Sequence, residues 1–236
     1  MIQTNKYLVV IPARGGSKGI PRKNIKLLNE KPLIHYTIDA ALKLFDNLRI
    51  CVSSEDEEIN RIAKLKSLNY DYVRPENLST DSISSRDVIL DVIKHYENSG
   101  FNFKNIVLLQ PTSPFRKTNH ILEAIKLYES SDCEMVVSVK ETKYNPYFNL
   151  FEENENGYLN LSKNGNYTSR QSAPKTYEYN GAIYIFSKES IQLKEFSKFE
   201  KIKKYKMSTF DSIDLDEQLD WDFCEFILKS KNGKIS

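Results

Sequence analysis

The feature that most constrains this chain is a short apolar strand that runs directly into a glycine-rich loop. Tyr7 to Ile11 is an unbroken apolar run rich in β-branched residues, typical of a strand buried on both faces. Pro12 has no N–H to donate to a ladder, so the strand is expected to end there. Glycines then follow that let a backbone approach a ligand closely: Gly15, Gly16 and Gly19.

The loop is also strongly basic. Between residues 13 and 24 it contains four cations and no acid: Arg14, Lys18, Arg22 and Lys23. Backbone N–H groups and cations together suit a polyphosphate. The spacing matches neither a Walker A loop nor the dinucleotide-binding pattern Gly-x-Gly-x-x-Gly. From spacing alone, a solvated basic turn remains the alternative.

Composition narrows the classes of partner. A net charge of +2 over 236 residues does not favour nucleic acid or an anionic membrane. The 3 cysteines are widely spaced, so neither a zinc site nor a disulfide framework is expected. No signal-like or membrane-spanning apolar stretch is visible, and we expect a cytoplasmic protein in a reducing compartment.

Strand-like and helix-like segments alternate along the chain. Strands are predicted at 7–11, 48–53, 70–73, 106–109, 135–139, 181–186 and 201–207. Helices are predicted at 32–44, 56–68, 85–97, from a Thr118 cap onward, and at 217–228, the last with Leu219, Phe223, Phe226 and Ile227 facing inward. This alternation predicts an α/β fold, a doubly wound and mostly parallel sheet whose ligands bind at the carboxyl ends of the strands.

The alternation stops at residues 141–179, which are rich in Asn, Tyr, Glu and Lys and show no helical period. A structureless loop of that length is unusual inside a domain, so hairpins or an arm with its own role are expected.

The string from Ile11 to Asn24, read as Ile-Pro-Ala-Arg-x-x-Ser-Lys-Gly-Ile-Pro-x-Lys-Asn, closely resembles the signature of the CMP-sialic acid synthetases, or acylneuraminate cytidylyltransferases. The resemblance extends to about Asp222. It implies a single Rossmann-like nucleotidyltransferase domain over 1–236 and a homodimer formed through an arm at about 141–179. It also implies catalytic roles for Arg14 and Lys23, and nucleotide binding by Ala13, Arg14, Gly15, Ser17, Lys18, Lys23 and Asn24.

A second candidate stretch runs from Arg74 to Ser85, between the third predicted strand and a helix. From the residues alone, an ordinary helix cap and a surface arginine would explain it. The family has the same Arg-Pro-x-x-Leu-x-x-Asp-x-x-Ser-Ser pattern, and the resemblance implies that Arg74, Ser84 and Ser85 contact the nucleotide.

Sugar-binding residues are implied by two further strings that the family shares. Gln110 follows the fourth predicted strand in Leu-Gln-Pro-Thr-Ser-Pro, and the resemblance places it beside the acceptor sugar, while Arg116 is a structural candidate. In the Arg-Gln and Asn-Gly-Ala-Ile-Tyr strings, the resemblance assigns Arg170 to the sugar carboxylate, Asn180 to sugar or triphosphate, and Tyr184 to the pocket lining. A guanidinium suits a carboxylate because two N–H groups can bind it at once.

Asp214 and Asp216 form the candidate metal site. Carboxylates two positions apart on an extended segment point the same way, and hard oxygen ligands suit Mg2+. Capping of the last helix is the alternative for Asp216. The resemblance implies that both aspartates bind Mg2+, with Mn2+ as an alternative, and that both are catalytic.

One position departs from the family. Sialic-acid-specific members carry a lysine two positions after a proline in the arm, where this chain has Phe148. An aromatic contact there favours a less polar acceptor of the legionaminate type.

The predicted reaction transfers CMP from CTP to the anomeric hydroxyl of a nine-carbon α-keto acid sugar and releases pyrophosphate. The alternatives are a pseudaminate or Kdo cytidylyltransferase and, from another class, a non-catalytic nucleotide-binding module.

Overall fold

Strands and helices alternate along the computed structural model, which describes residues 3–17, 19–80 and 82–232. The strands are β1 (Tyr7–Pro12), β2 (Leu27–Leu28), β3 (Lys31–Pro32), β4 (Ile50–Ser53), β5 (Asn105–Leu108), β6 (Met135–Glu141), β7 (Phe151–Glu153), β8 (Leu159–Leu161), β9 (Tyr177–Ser187) and β10 (Ile202–Lys206). The helices are α1 (Leu33–Leu42), α2 (Glu57–Lys64), α3 (Ser85–Asn98), α4 (Thr118–Glu129), α5 (Lys188–Leu193) and α6 (Gln218–Asn232).

The central sheet confirms the predicted mostly parallel α/β architecture. Within the described residues it has six strands in the order β10–β6–β9–β5–β1–β4. β4, β1 and β5 are parallel, as are β6 and β10, with Val9 of β1 paired to Ile50 on one side and Val107 on the other. β9 runs antiparallel between β5 and β6, and pairs Tyr184 with Leu108. The first half of β9 therefore reaches the edge at which the parallel strands end.

The buried strand at the centre forms as its sequence predicts. Tyr7 to Ile11 are fully buried because helices cover both faces of the sheet. A second, smaller core lies under α6 and contains Ile20 of the glycine loop, Leu215 and Trp221. Each such buried side chain contributes about 1.5–3 kcal/mol. This second core therefore fixes the glycine loop against the segment that carries the aspartates.

The segment 141–179 contains the expected hairpin. β7 and β8 pair antiparallel, with Phe151 opposite Leu161, and both strands are exposed. At the base, the Asn145 amide donates to the Pro174 carbonyl (2.8 Å) and its oxygen accepts from the Tyr147 N–H (2.9 Å). We call residues 141–176 the arm.

Three local predictions were wrong. Residues 70–73 are not a strand. Tyr70 and Tyr72 are buried and their neighbours exposed, which mimics strand alternation, but the segment forms no ladder with β4. The hydroxyl of Thr118 does not cap α4, since it donates to the Ala40 carbonyl (3.2 Å) and Lys117 precedes the helix.

The third error concerns the inward face of α6. Leu219, Phe223 and Phe226 are 76%, 51% and 61% exposed. Trp221 and Cys224 are buried instead, and Ile227 packs partly against them as predicted. The helix is rotated because Trp221 fills the second core.

Candidate active site

The glycine loop leaves β1 and is held in place at both ends. The Ala13 N–H donates to the Ser53 carbonyl (2.9 Å), so the loop departs beside the end of β4. The Asn24 side chain is buried and its amide donates to the Arg14 carbonyl (2.9 Å), which closes the loop on itself. Together with the buried Ile20, these contacts give the loop a defined shape. Lys18 lies outside the described residues.

The loop meets the aspartate segment through Lys23 and Gly19. The Lys23 ammonium donates to the Leu215 carbonyl and lies 3.3 Å from Asp216 Oδ1, a contact between residues 193 positions apart. A Cβ at Gly19 would lie 2.1 Å from the Asp216 carbonyl oxygen. Only glycine permits this approach, so the fold requires it at position 19. Lys23 and Asp216 therefore lie at one site.

Asp214 is the more buried of the two aspartates. Burial raises the pKa of Asp214 above its ordinary value, a hydrogen bond from Thr112 opposes the shift, and repulsion from Asp216 adds to it. Its Oδ1 is buried and has no hydrogen-bond partner among the described residues. Gly181, with φ +72°, allows the approach from β9, because a Cβ there would lie 3.2 Å from Asp214 Oδ2. A carboxylate held like this is poised for a cationic partner.

The donor set around these aspartates fits a hard divalent cation that shares its ligands with substrate and water. Within the described ranges, no group of three or more His, Cys, Asp or Glu side chains is arranged to hold a metal alone. Asp214 supplies an unsatisfied buried oxygen, and Asp216 an exposed carboxylate. Two protein carboxylates leave the other positions to water and phosphate oxygens, as Mg2+ prefers.

These groups line one cavity of about 710 Å³. The glycine loop contributes a basic wall and the aspartate segment an acidic one, while the loop after β5 and the strand β9 form the rest of the lining. The candidate residues in its lining are Arg14, Ser17, Lys23, Asn24, Gln110, Tyr184, Asp214 and Asp216. Opposite charges on facing walls of one cleft suit a substrate with a polyphosphate and its countercation.

An adjoining cavity of about 280 Å³ contains Arg74 and Ser85 and shares Pro12, Arg14 and Gln110 with the first. Arg74 is buried and donates through Nε to Ser53 Oγ (3.0 Å) and through Nη2 to the Ser53 carbonyl (2.6 Å). Burial lowers the pKa of Arg74, and attraction to Glu55 opposes the shift. The arginine is thus fixed in place beside the loop.

Ser84 has a different environment from the one expected. It is the N-cap of α3, and its Oγ accepts from the Asp87 N–H (3.1 Å) and donates to Asp87 Oδ2 (2.8 Å). The ordinary capping alternative therefore describes Ser84, whereas Ser85 lines the cavity with Arg74.

The assignment of Asn180 to substrate is corrected by its hydrogen bonds. The side chain is buried; its oxygen accepts from Ser138 Oγ (2.5 Å) and from the Ala182 N–H (3.2 Å), and its amide donates to Ser212 Oγ (2.8 Å). Because protein groups use its oxygen and its amide, Asn180 joins β6, β9 and the aspartate segment. It contacts the aspartate segment through Ser212 and is not among the residues that line the main cavity.

Gln110 is held by a buried arginine. Arg116 donates to the Gln110 carbonyl (2.8 Å) and to the Ala182 carbonyl (2.8 Å), and also to Thr37. Fixing the Gln110 backbone leaves its side chain on the wall of the main cavity. The structural role expected for Arg116 is confirmed.

Sequence reasoning missed an aromatic cavity of about 370 Å³ next to Gln110 and Tyr184. Tyr184 lines both this cavity and the main one, and burial raises its pKa to about 12. The missed residues are Tyr179, Phe196 and Phe199. No sequence motif indicated them, because they come from separate segments: Tyr179 lies on β9, where it pairs with Val139 of β6, whereas Phe196 and Phe199 lie between α5 and β10.

Arg170 and Phe148 are not brought to the main cavity. Arg170 lines a separate cavity of about 470 Å³ in the arm, together with Lys143 and Asn145. Phe148 is 39% exposed. In one chain, the two residues expected to bind the sugar from the arm are therefore apart from Gln110.

Among the residues that the structure describes, no helix has both the length and the apolar character of a membrane span.

Comparison with known proteins shows which family this chain belongs to. The family described as cytidylyltransferase matches residues 8–231. The N-acylneuraminate cytidylyltransferase of Streptococcus agalactiae is 35% identical over 98% of this chain, which spans only 56% of that relative's length. The CMP-N,N'-diacetyllegionaminic acid synthase of Campylobacter jejuni is 33% identical over 96% of this chain and 97% of its own length.

A solved structure shares the fold at low sequence identity. The CMP:2-keto-3-deoxy-manno-octonic acid synthetase complexed with CTP superimposes with a TM-score of 0.70 at 14% identity, covering 96% of this chain and 99% of its own. With the match over residues 8–231, these findings show that the chain belongs to the cytidylyltransferase family.

Proposed function

We propose that the protein transfers CMP from CTP to the anomeric hydroxyl of a nine-carbon α-keto acid sugar and releases pyrophosphate. The observation that carries the proposal is the Lys23–Asp216 contact of 3.3 Å, which joins the basic glycine loop to the aspartate pair at one cavity. Membership of the cytidylyltransferase family supports CTP as the nucleotide substrate, and the relatives' names support a nine-carbon α-keto acid sugar as the acceptor.

The chain's own residues account for the chemistry of an in-line displacement. The anomeric oxygen forms a bond to the α-phosphorus, its proton passes to solvent, and the bond from that phosphorus to the leaving pyrophosphate breaks. Arg14 and Lys23 offset the charge of the triphosphate and of the departing pyrophosphate. Arg74 and Ser85 hold the cytidine end, and the Gln110 side chain orients the acceptor with its amide donor and acceptor.

Asp214 and Asp216 would hold Mg2+, with Mn2+ as the alternative. The bound cation would neutralise charge on the phosphate oxygens. The unpartnered Oδ1 of Asp214 supports this assignment, because a buried carboxylate oxygen without a hydrogen bond is costly unless a ligand meets it.

The acceptor class is supported by the aromatic cavity. Phe196, Phe199 and Tyr179 line one cavity with Gln110, and such a cavity fits an apolar substituent, such as the methyl group of an N-acyl or a deoxy sugar. Sialic and legionaminic acids both carry such groups, and Kdo has no N-acyl group.

We further propose that the arm forms a homodimer and brings Arg170 to the partner's sugar carboxylate. We expect the reaction in the cytoplasm, a setting that suits free cysteines such as Cys51.

A pyrophosphate-release assay tests the reaction. The protein is incubated with CTP, Mg2+ and one acceptor at a time from neuraminate, legionaminate, pseudaminate and Kdo. We expect release with an N-acylated nine-carbon acceptor and dependence on the divalent cation. Binding of CTP without release for every acceptor would support the non-catalytic nucleotide-binding module instead.

A further inference from the structure

Arg22 belongs to the basic glycine loop, yet its guanidinium is not part of the cavity lining. It donates to Asp56 through Nη1 and Nη2, and Nη2 also lies 2.5 Å from Glu58 Oε2. Its backbone has φ +54°, a left-handed conformation that is uncommon for residues other than glycine. The loop therefore adopts an unfavourable backbone geometry at the residue that turns toward two carboxylates.

Residues 55–58, which we call the acidic turn, also contact the start of the glycine loop. The Gly15 N–H donates to Glu55 Oε1 (2.8 Å). A Cβ at Gly15 would lie 2.6 Å from Asp56 Oδ2, so the backbone packs directly on that carboxylate. Asp56 is itself fixed, since its Oδ1 caps α2 by accepting from the Ile59 N–H (3.0 Å).

We propose that residues 55–58 and Arg22 form a clamp that preorganises the glycine loop for CTP. In this role Arg22 is a positioning residue, not a phosphate ligand. The clamp holds the loop at Gly15 and at Arg22, and Ser17 and Gly19, between these two points, line the main cavity. Its effect on CTP binding rests on the proposed function; its effect on loop order does not.

Arg22 also differs from Arg14 and Lys23 in position, because those two residues line the main cavity and Arg22 does not. Asp56 and Glu58 already hold the Arg22 guanidinium, so turning it toward a triphosphate would break both ion pairs. The Arg22, Asp56 and Glu58 side chains are 43%, 18% and 51% exposed. Partly exposed pairs contribute modestly, so loss of the clamp is expected to weaken CTP binding about three- to tenfold rather than abolish it.

The test compares charge-matched variants of the full-length protein. Arg22→Glu places a third acid against Asp56 and Glu58. Arg61→Glu is the control, because Arg61 also lies near Glu58 (3.9 Å), is 68% exposed and sits on α2 rather than on the loop. Arg22→Glu combined with Glu58→Arg restores a cation between two acids. Each variant is assayed for its KM for CTP, its kcat, and amide hydrogen exchange of residues 13–26 without nucleotide.

We expect Arg22→Glu to raise the KM for CTP about three- to tenfold, with kcat at saturating CTP within about twofold of wild type, and to speed exchange in the loop. Arg61→Glu should change neither the KM for CTP nor the exchange in the loop, and the double variant should restore both quantities to near their wild-type values. Equal effects of Arg22→Glu and Arg61→Glu would overturn the clamp. So would a double variant that restores exchange but not KM, because Arg22 would then contact the nucleotide itself. If the wild type releases no pyrophosphate, the proposed function fails, and the exchange data alone still decide the clamp.

Discussion

The loop end of the sheet and the arm differ in how much of a site one chain completes. At the loop end, Lys23, Asp214 and Gln110 come from distant parts of the sequence and share one cavity. In the arm, Arg170 lines a cavity of its own, and the hairpin exposes Tyr158 and Leu159 by 71% and 65%. The cavity at the loop end is therefore assembled by the fold of a single chain, whereas the arm presents exposed apolar side chains.

This difference has a physical origin. Parallel strands end at a common edge, so loops after β1 and β5 converge whatever their sequence separation. The strands of the arm hairpin are exposed, and clustered exposed apolar side chains typically mark an interaction surface. A second copy of the chain is the occupant we propose.

The largest expected effect is at the loop end. Lys23→Ala removes the cation that faces both aspartates, and loss of a preorganised group of this kind typically costs about 3–4 kcal/mol at the barrier. We expect kcat to fall at least about a hundredfold with the fold intact by circular dichroism, and Arg14→Ala to behave similarly. Lys26→Ala is the control, because Lys26 packs over the Trp221 ring (4.4 Å) and is not in the cavity lining. Near-normal turnover of Lys23→Ala would refute the assigned role.

An intermediate effect is expected in the arm. Arg170→Ala should raise the KM for the acceptor about ten- to a hundredfold, because a hydrogen-bonded charge pair is worth about 1.5–3 kcal/mol, and should leave the KM for CTP unchanged. Lys175→Ala is the control, since it removes another exposed cation from the same cavity of the arm.

Mixing Lys23→Ala with Arg170→Ala then separates the two regions. If the arm serves the partner's site, a mixed dimer has one site with both residues intact, and activity returns on mixing. If the arm serves its own chain's site, every site carries one defect and no activity returns. The arm would then complete the same one-chain site as the loop end.

The smallest effect is on stability at the loop end. The pKa of Asp214 is raised in the folded protein, so this carboxyl lowers the free energy of unfolding as pH rises above its ordinary pKa of about 3.9. Asp214→Asn should therefore raise the free energy of unfolding at pH 7 without metal and reduce its pH dependence above pH 4. Urea unfolding at pH 4 and pH 7 measures this. A less stable variant at pH 7 would mean that the carboxylate is already stabilised by the protein.

Much of the fold could be predicted from local sequence patterns. The strand at Tyr7–Pro12, the alternation that gives the sheet, and the hairpin in the arm were all predicted from residue type and period. The strand at 70–73 failed because burial alternates there without a neighbour to pair with.

The sequence by itself determined the kinds of groups at this site: a strand that ends at a proline, glycines where backbones must approach, cations in one loop and paired aspartates in another. Those properties are local, since spacing and residue type fix them. Only the tertiary structure decided that Lys23 faces the aspartates while Arg22 faces an acidic turn, and that Asn180 serves the core. The reason is physical: the partner that a polar side chain finds depends on segments folded against it from far along the chain, and no local pattern encodes them.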